Sequence, residues 1–366
     1  MRPRHYAMEE AYDMGTAGTL SFDLDFSDPI TELIMRIEGN NGSTDNKGNP
    51  PERCISKIEI VDGGEVLWSA NGKVAFASAA HIRGTVGHCY RTEIGSDTPY
   101  TTIPIRFGRF LYDPLYAFNP LAHRNPQLKV TFNEATIQTA GNDGYVSDSL
   151  VLDLTAQLME EAPPPTAFLG LREIETFTTT DSGIRRVSMP TDVVYRHLIN
   201  RCWLTNIDIR NPVNRYRLSA DGGKFVPFDL PSDRFADLVA SAYPPVLLAD
   251  LKVLTQATPT DSWMGLDYWG QITGRPLGYI VNTDGFWPSR FYPRIYSHAG
   301  VAGTDIGAHT VICGWAIHNT LVYPFGDPRE PETWFDAKQF NTLELHLTNG
   351  DASAEDNVVV EQVYQY

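Results

Sequence analysis

Cysteine is scarce here: four in 366 residues, Cys54, Cys89, Cys202 and Cys313, widely scattered and forming no C-x-x-C pair. Such cysteines do not make a disulfide framework, and they read as reduced, mostly buried small hydrophobes. Long apolar runs are missing as well. No stretch approaches the ~18 residues that a helical membrane span needs. Residues 1–15, MRPRHYAMEEAYDMG, hold no apolar segment of the secretory kind. The expectation is a soluble protein made and kept inside a cell, at least initially. Positive charge is also short, with 29 Lys+Arg against 45 Asp+Glu and a net charge of −16. That surface repels phosphate backbones, so direct, sequence-specific nucleic-acid binding is not expected. The basic opening Arg2, Arg4 and His5 is too short to reverse the balance, and residues 1–18 read as a terminal arm.

The signatures of catalysis are absent too. No Gly-x-Ser-x-Gly elbow, P-loop or G-x-G-x-x-G after a strand occurs. Nine histidines invite a metal search, but no His-x-His exists, which a bicupin would need. His88 and Cys89 are adjacent, so a strand would aim them to opposite sides. His346 alternates with core leucines and faces out. Glu173 and Glu175 could share one face of a strand, yet paired acids on solvent faces are ordinary in so acidic a chain. Asp23 and Asp25 fall on the solvent face in the same way. Neither metal nor cofactor is expected, and no enzyme.

What the chain does have is a repetition. Residues 58–80 read IEIVDGGEVLWSANGKVAFASAA, and residues 217–240 read RLSADGGKFVPFDLPSDRFADLVA. Asp62-Gly63-Gly64 falls on Asp221-Gly222-Gly223, and at the same offset Phe76-Ala77 falls on Phe235-Ala236. Both read as strand, Asp-Gly-Gly hairpin, strand, helix, the turn taking the positive φ values that Asp-Gly supplies. Phe235, Leu238, Val239 and Ala242 have the spacing of one apolar helix face. In the first copy that face is Phe76, Ala79 and Ala80, too small to pack more than thinly. A domain duplicated within the chain follows.

The rest of the chain is short alternating strands. Residues 19–26 (TLSFDLDF) put Leu20, Phe22, Leu24 and Phe26 on one side. Residues 127–132 do so with Leu128, Val130 and Phe132, and residues 343–347 with Leu343, Leu345 and Leu347. Residues 193–209 read as two strands, and 309–318 as another. Proline at 163–165 stops the pattern, as a stiff spacer would. The expected division is a first domain at 19–162, a linker at 163–168 and a second domain at 169–366. The strands near 125–132 and 340–347 match at a larger offset, so residues were added between, at about 244–300. That insertion holds Trp263, Tyr268, Trp269, Trp287 and Tyr292, and loops this long usually bind or join something. A sugar platform, anchors in a subunit interface and a private mini-core are all open.

Many short strands with one early helix per half point to an all-β fold of two sandwiches, each suiting an eight-stranded jelly roll. The paired hairpins at Asp62 and Asp221, the helices at Phe76 and Phe235, the proline linker and the late Asp-Pro…Leu-x-Val/Leu strands together resemble the double jelly-roll major capsid proteins. These come from tailless icosahedral viruses, the lineage of adenovirus hexon and membrane-containing bacteriophages. The resemblance implies a homotrimer of pseudo-hexagonal outline, contacts with neighbouring capsomers and minor or vertex proteins, and a virion shell assembled from chains made in the host cytoplasm. It makes 244–300 a tower or inter-subunit loop. The first 15 residues become an arm at the inner surface, next to any internal membrane. A carbohydrate-active or carbohydrate-binding double sandwich is the alternative.

Overall fold

The structure, a computed structural model, describes residues 1–42, 49–84, 87–90, 96–138, 145–204, 210–244, 246–255, 269–272, 280–281, 295–296 and 306–366. The first half contains β1 (Arg2–Asp13), β2 (Ala17–Asp23), β3 (Ile30–Glu38), β4 (Ile55–Asp62), β5 (Glu65–Ala70), helix α1 (Gly72–Arg83), β6 (Cys89–Tyr90), β7 (Tyr100–Arg106), β8 (Pro126–Asn133) and β9 (Val151–Glu160). The second opens with β10 (Ala167–Thr178), β11 (Ile184–Ser188), β12 (Val194–Trp203), β13 (Val213–Ala220), β14 (Phe225–Pro231) and helix α2 (Ser232–Ala242). After β15 (Val246–Thr255), β16 (Trp269–Ile272), β17 (Ile280–Val281), β18 (Ile295–Tyr296) and β19 (Ile306–Trp315), it closes with β20 (Thr320–Pro324), β21 (Phe335–Asp336), β22 (Leu343–Asn349) and β23 (Glu355–Gln365).

The strand orders carry the duplication. The first half makes one sheet in the order β1-β9-β3-β7-β6 and a second in the order β2-β8-β4-β5. The second half makes β10-β23-β12-β20, with β21 added on β12, and β11-β22-β13-β14. Across eight strands each, the two halves share one connectivity, and it is that of a jelly roll; the second half adds a β15-β19-β16 sheet and the pair β17-β18. Alternation explains why these strands face each other. Leu128, Val130 and Phe132 of β8 are buried, as are Leu343, Leu345 and Leu347 of β22, with polar neighbours between them. Asp23 and Asp25 point to solvent.

The repeated aspartate has a second role besides its turn. The Asp62 carboxylate accepts from the backbone N–H of Arg124 (3.1 Å) and Asn125 (2.9 Å), just before β8 begins. Asp221 accepts from Asn341 (2.8 Å) and Thr342 (3.1 Å), just before β22. Each clamps the incoming strand onto its hairpin, and the bond from Asn125 pulls the Asp62 pKa below the usual carboxylate value. Asp62→Ala and Asp221→Ala should each cost about 1–2 kcal/mol in urea denaturation, since a charged acceptor is lost at a partly exposed site. The turns themselves differ. In the first, Asp62 pairs with Glu65 across two glycines. In the second, Ala220 pairs with Phe225, and Asp221, Gly222 and Gly223 all have positive φ, so that hairpin is wider than expected.

Four other expectations change. Arg2–Asp13 is not an arm: it pairs with β9 as the edge strand of the first roll, Tyr6 and Tyr12 packing edge-on against Phe26 and Phe22. The buried face of α2 is Ser232, Phe235, Ala236 and Val239, while Leu238 and Ala242 are exposed. Residues 193–209 give one described strand, β12, with 205–209 outside the described residues. The strand expected to reach His318 ends at Trp315. A short turn follows, with Ala316, His318 and Asn319 in left-handed conformations.

Candidate assembly surfaces

Trp263, Tyr268, Trp287 and Tyr292, the expected inter-subunit contacts, lie outside the described residues. Trp269 begins β16, paired with Trp315 of β19. The surfaces that the structure does describe lie elsewhere, at the joint between the rolls. One hydrophobic cluster runs through that joint, joining Phe76, Trp68 and Phe118 of the first roll to Phe168, Leu171, Ile199, Val322 and Val359 of the second. Residues 161–166 join β9 to β10, so the expected linker's last two residues, Ala167 and Phe168, belong to β10; β5 lies along β10, where Ser69 Oγ accepts from the Glu173 N–H at 3.1 Å.

Helix α1 is the wedge. Asn71 caps it, its side chain accepting from the Val74 N–H at 2.9 Å, and Gly84 ends it at φ +74°. Its alanines, expected to pack thinly, instead let it be buried on nearly every side. Val74, Phe76, Ala77 and Ala80 belong to the core, and Phe76 meets the His318 ring of the second roll at 5.8 Å. Small side chains bring two sandwiches close to one helix, as small residues do at helix contacts.

Two buried polar groups lie at the joint. In one, Glu52 accepts from Thr101 Oγ1 at 2.7 Å and pairs with His318 Nε2 of the second roll at 2.9 Å. The left-handed turn at 316–319 aims that histidine, at a conformational cost. The other lies in the second roll and abuts α1. A bulge between Tyr195 and His197 lets two successive residues of β12 reach the same acid. Arg196 donates to Glu361 at 3.1 and 3.2 Å and to the Pro328 carbonyl at 2.8 Å. His197 Nδ1 bonds Glu361, and Tyr243 bonds its Nε2. Burial on its own would raise the Glu361 pKa, but Arg196 and His197 together outweigh it and hold it at about 2. Burial lowers the His197 pKa, more than Glu361 raises it. Beside Tyr243 sits His81 of α1, with ring centroids 6.2 Å apart, lowered to about 4 by burial and then by His197. Nothing in the sequence marked these residues except that β12 carries Arg196, His197, Asn200 and Arg201 where alternation would place them half in solvent; all four are buried.

Of the other groups considered, His346 sits on β22 and pairs with Glu344 at 2.9 Å, and Glu175 pairs with Arg185. Among the described residues no three His, Cys, Asp or Glu side chains gather as a metal site would require, and Cys54 and Cys202 are buried free thiols.

No protein-family model matches the chain. No curated protein matches it either. Solved structures do. The major capsid protein of STIV superposes with a TM-score of 0.61 at 11% identity, covering 99% of this chain and 97% of that one. The fold is that of the double jelly-roll major capsid proteins. PBCV-1 VP54, fitted into a reconstruction of the virophage Sputnik, gives 0.58 at 10% identity over 99% and 93%. The major capsid protein P2 of bacteriophage PM2 gives 0.55 at 10% identity over 100% and 98%. Both halves of the chain are therefore matched, and little of any of the three structures' length is left over.

Proposed function

We propose that the chain is a major capsid protein, a homotrimeric, pseudo-hexagonal capsomer that tiles an icosahedral virion shell and acts by assembling and not by catalysing. The observation that carries this reading is the duplicated roll. Both halves have one connectivity, are locked by one core, and are matched along nearly their full length by three capsid proteins. Physical sense supports it. Two rigid sandwiches leave exposed edges at β1 and β14, and such edges aggregate unless neighbouring copies cover them. On this reading the chain is made in the host cytoplasm and ends in the virion, touching neighbouring capsomers and vertex proteins, and 244–300 is a tower or contact loop. Light scattering on the purified chain, with negative-stain images of the same fraction, tests it. A mass of three chains and a roughly hexagonal outline is the expected result. A single-chain mass at high concentration contradicts it, and would return attention to a carbohydrate-binding role for the aromatic loop.

A further inference from the structure

An arginine buried with its donors unmet is costly, and β12 buries two arginines. Arg196 has a partner at each side-chain nitrogen. Its Nε donates to the Pro328 carbonyl, Nη1 to Glu361 and Nη2 to the Arg109 carbonyl. Arg201 does not. Its side chain is 0% exposed, and Nη1 is engaged by Asn357 at 2.9 Å and Glu355 at 3.1 Å. Nε and Nη2 are buried and have no hydrogen-bond partner among the described residues. Those two nitrogens form one side of the planar guanidinium, with two N–H groups held parallel. That edge is the one that takes a carboxylate or a phosphate with two bonds at once.

The surroundings of the edge are cationic, in a chain whose net charge is −16. Alternation along β12 puts Arg201 on the face of Ile199, which packs into the core shared with the first roll. From that roll Lys73 reaches across the joint, its Nζ 5.4 Å from the centre of the Trp203 ring. Trp203 stands two residues beyond Arg201, on the same face. Arg53 of the first roll acts at the same place. Burial on its own would raise the Glu355 pKa, but Arg201, Lys73 and Arg53 together outweigh it and hold it below the usual carboxylate value. Three cations therefore act on one carboxylate, which is itself 48% exposed. Glu52, next to Arg53, is engaged by Thr101 and His318. Asp356 lies on the opposite face of β23, with Asn200. The positive end of α1 adds to the field, with no acidic residue in its first turn. Asn319 supplies a second unpartnered group. It is 0% exposed, held at φ +55° beside Thr320, the cross-strand partner of Arg201. Neither atom of its amide has a partner among the described residues.

We propose that the Nε–Nη2 edge of Arg201 is an anion site, holding one phosphate-class oxyanion between the two rolls. The chemistry selects that class. The guanidinium edge matches two oxygens of the ion, the Lys73 ammonium neutralises a third, and Asn319 carries an amide donor. Cations in excess favour a dianion over chloride. The total burial of Arg201 admits a small ion and not a nucleic-acid backbone. Bound there, the ion ties Arg201 of the second roll to Lys73 of the first and fastens the joint.

The test uses the full-length chain, dialysed into a chloride buffer. Inorganic phosphate is added in isothermal calorimetry and in thermal melts, beside sodium chloride at matched ionic strength. The expected result is one ion per chain, and a melting temperature that climbs with the logarithm of phosphate concentration. Chloride should give no comparable shift. Lys73→Met should keep the wild-type melt in chloride and weaken phosphate binding about tenfold, as one lost charged contact does. Arg201→Lys keeps the charge but removes the fork, and should bind no better than Lys73→Met. If Arg201→Lys fails to fold, Lys73→Met still decides. Phosphate acting no differently from chloride, or Lys73→Met binding phosphate as tightly as wild type, overturns the proposal. The ion is counted per chain, so either result leaves the assembly reading untouched.

Discussion

Phe235→Asp is expected to abolish the second roll. Phe235 is 1% exposed and sits in an aromatic cluster, its ring 4.3 Å from Tyr216, 5.2 Å from Phe228 and 5.2 Å from Tyr323. Truncating such a ring costs about 3–5 kcal/mol from lost burial and the cavity left behind. A carboxylate in its place has no partner among those rings, which adds several kcal/mol more. Together these reach the range of a whole domain's stability, roughly 5–15 kcal/mol. A chain without a cooperative melt, open to protease across 169–366, is the expected outcome. Leu238→Asp, three residues on along the same helix, should leave the monomer within about 0.5 kcal/mol of wild type, as exposed sites do. An unchanged melting temperature for Phe235→Asp would place the helix face elsewhere.

Glu361→Leu should cost about 3–5 kcal/mol, because it strands the buried Arg196 guanidinium. Adding Arg196→Met should restore most of that loss, since removing both members of a buried pair is often nearly neutral. The pH dependence carries the same signature. Glu361 is held at about 2 against an ordinary 4.5. A depressed carboxylate contributes stability that is complete above its unfolded value and is lost as pH falls through the folded one. Wild-type stability should therefore fall by about 3 kcal/mol between pH 4.5 and 2 on this group's account, and the double variant should lack that limb. Urea denaturation of wild type, single and double variants at pH 7, 4 and 2.5 reads both effects. A single variant within 1 kcal/mol of wild type would show that Arg196 is satisfied by the Pro328 carbonyl alone.

Both predictions concern residues that the sequence revealed unequally. Phe235 was legible because the chain states its hairpin and helix twice, and local repetition survives without any knowledge of partners. The helix face was half legible. Spacing from Phe235 fits Leu238 and Ala242 as well as Ser232 and Ala236, and the small residues on the true face carry little hydrophobic signal. Alanine in α1 read as weakness because the sequence does not reveal that a second roll covers the helix. The N-terminal strand was missed for a related reason: its partner β9 lies at the far end of the roll, and charge dominates its composition. Arg196, His197 and Glu361 were illegible, since a bulge, and not alternation, brings adjacent side chains to one acid.

A cryo-EM reconstruction of the purified oligomer tests the account most directly. The account predicts six rolls from three chains, arranged around a threefold axis with a roughly hexagonal outline. A single chain or a two-fold dimer would contradict it.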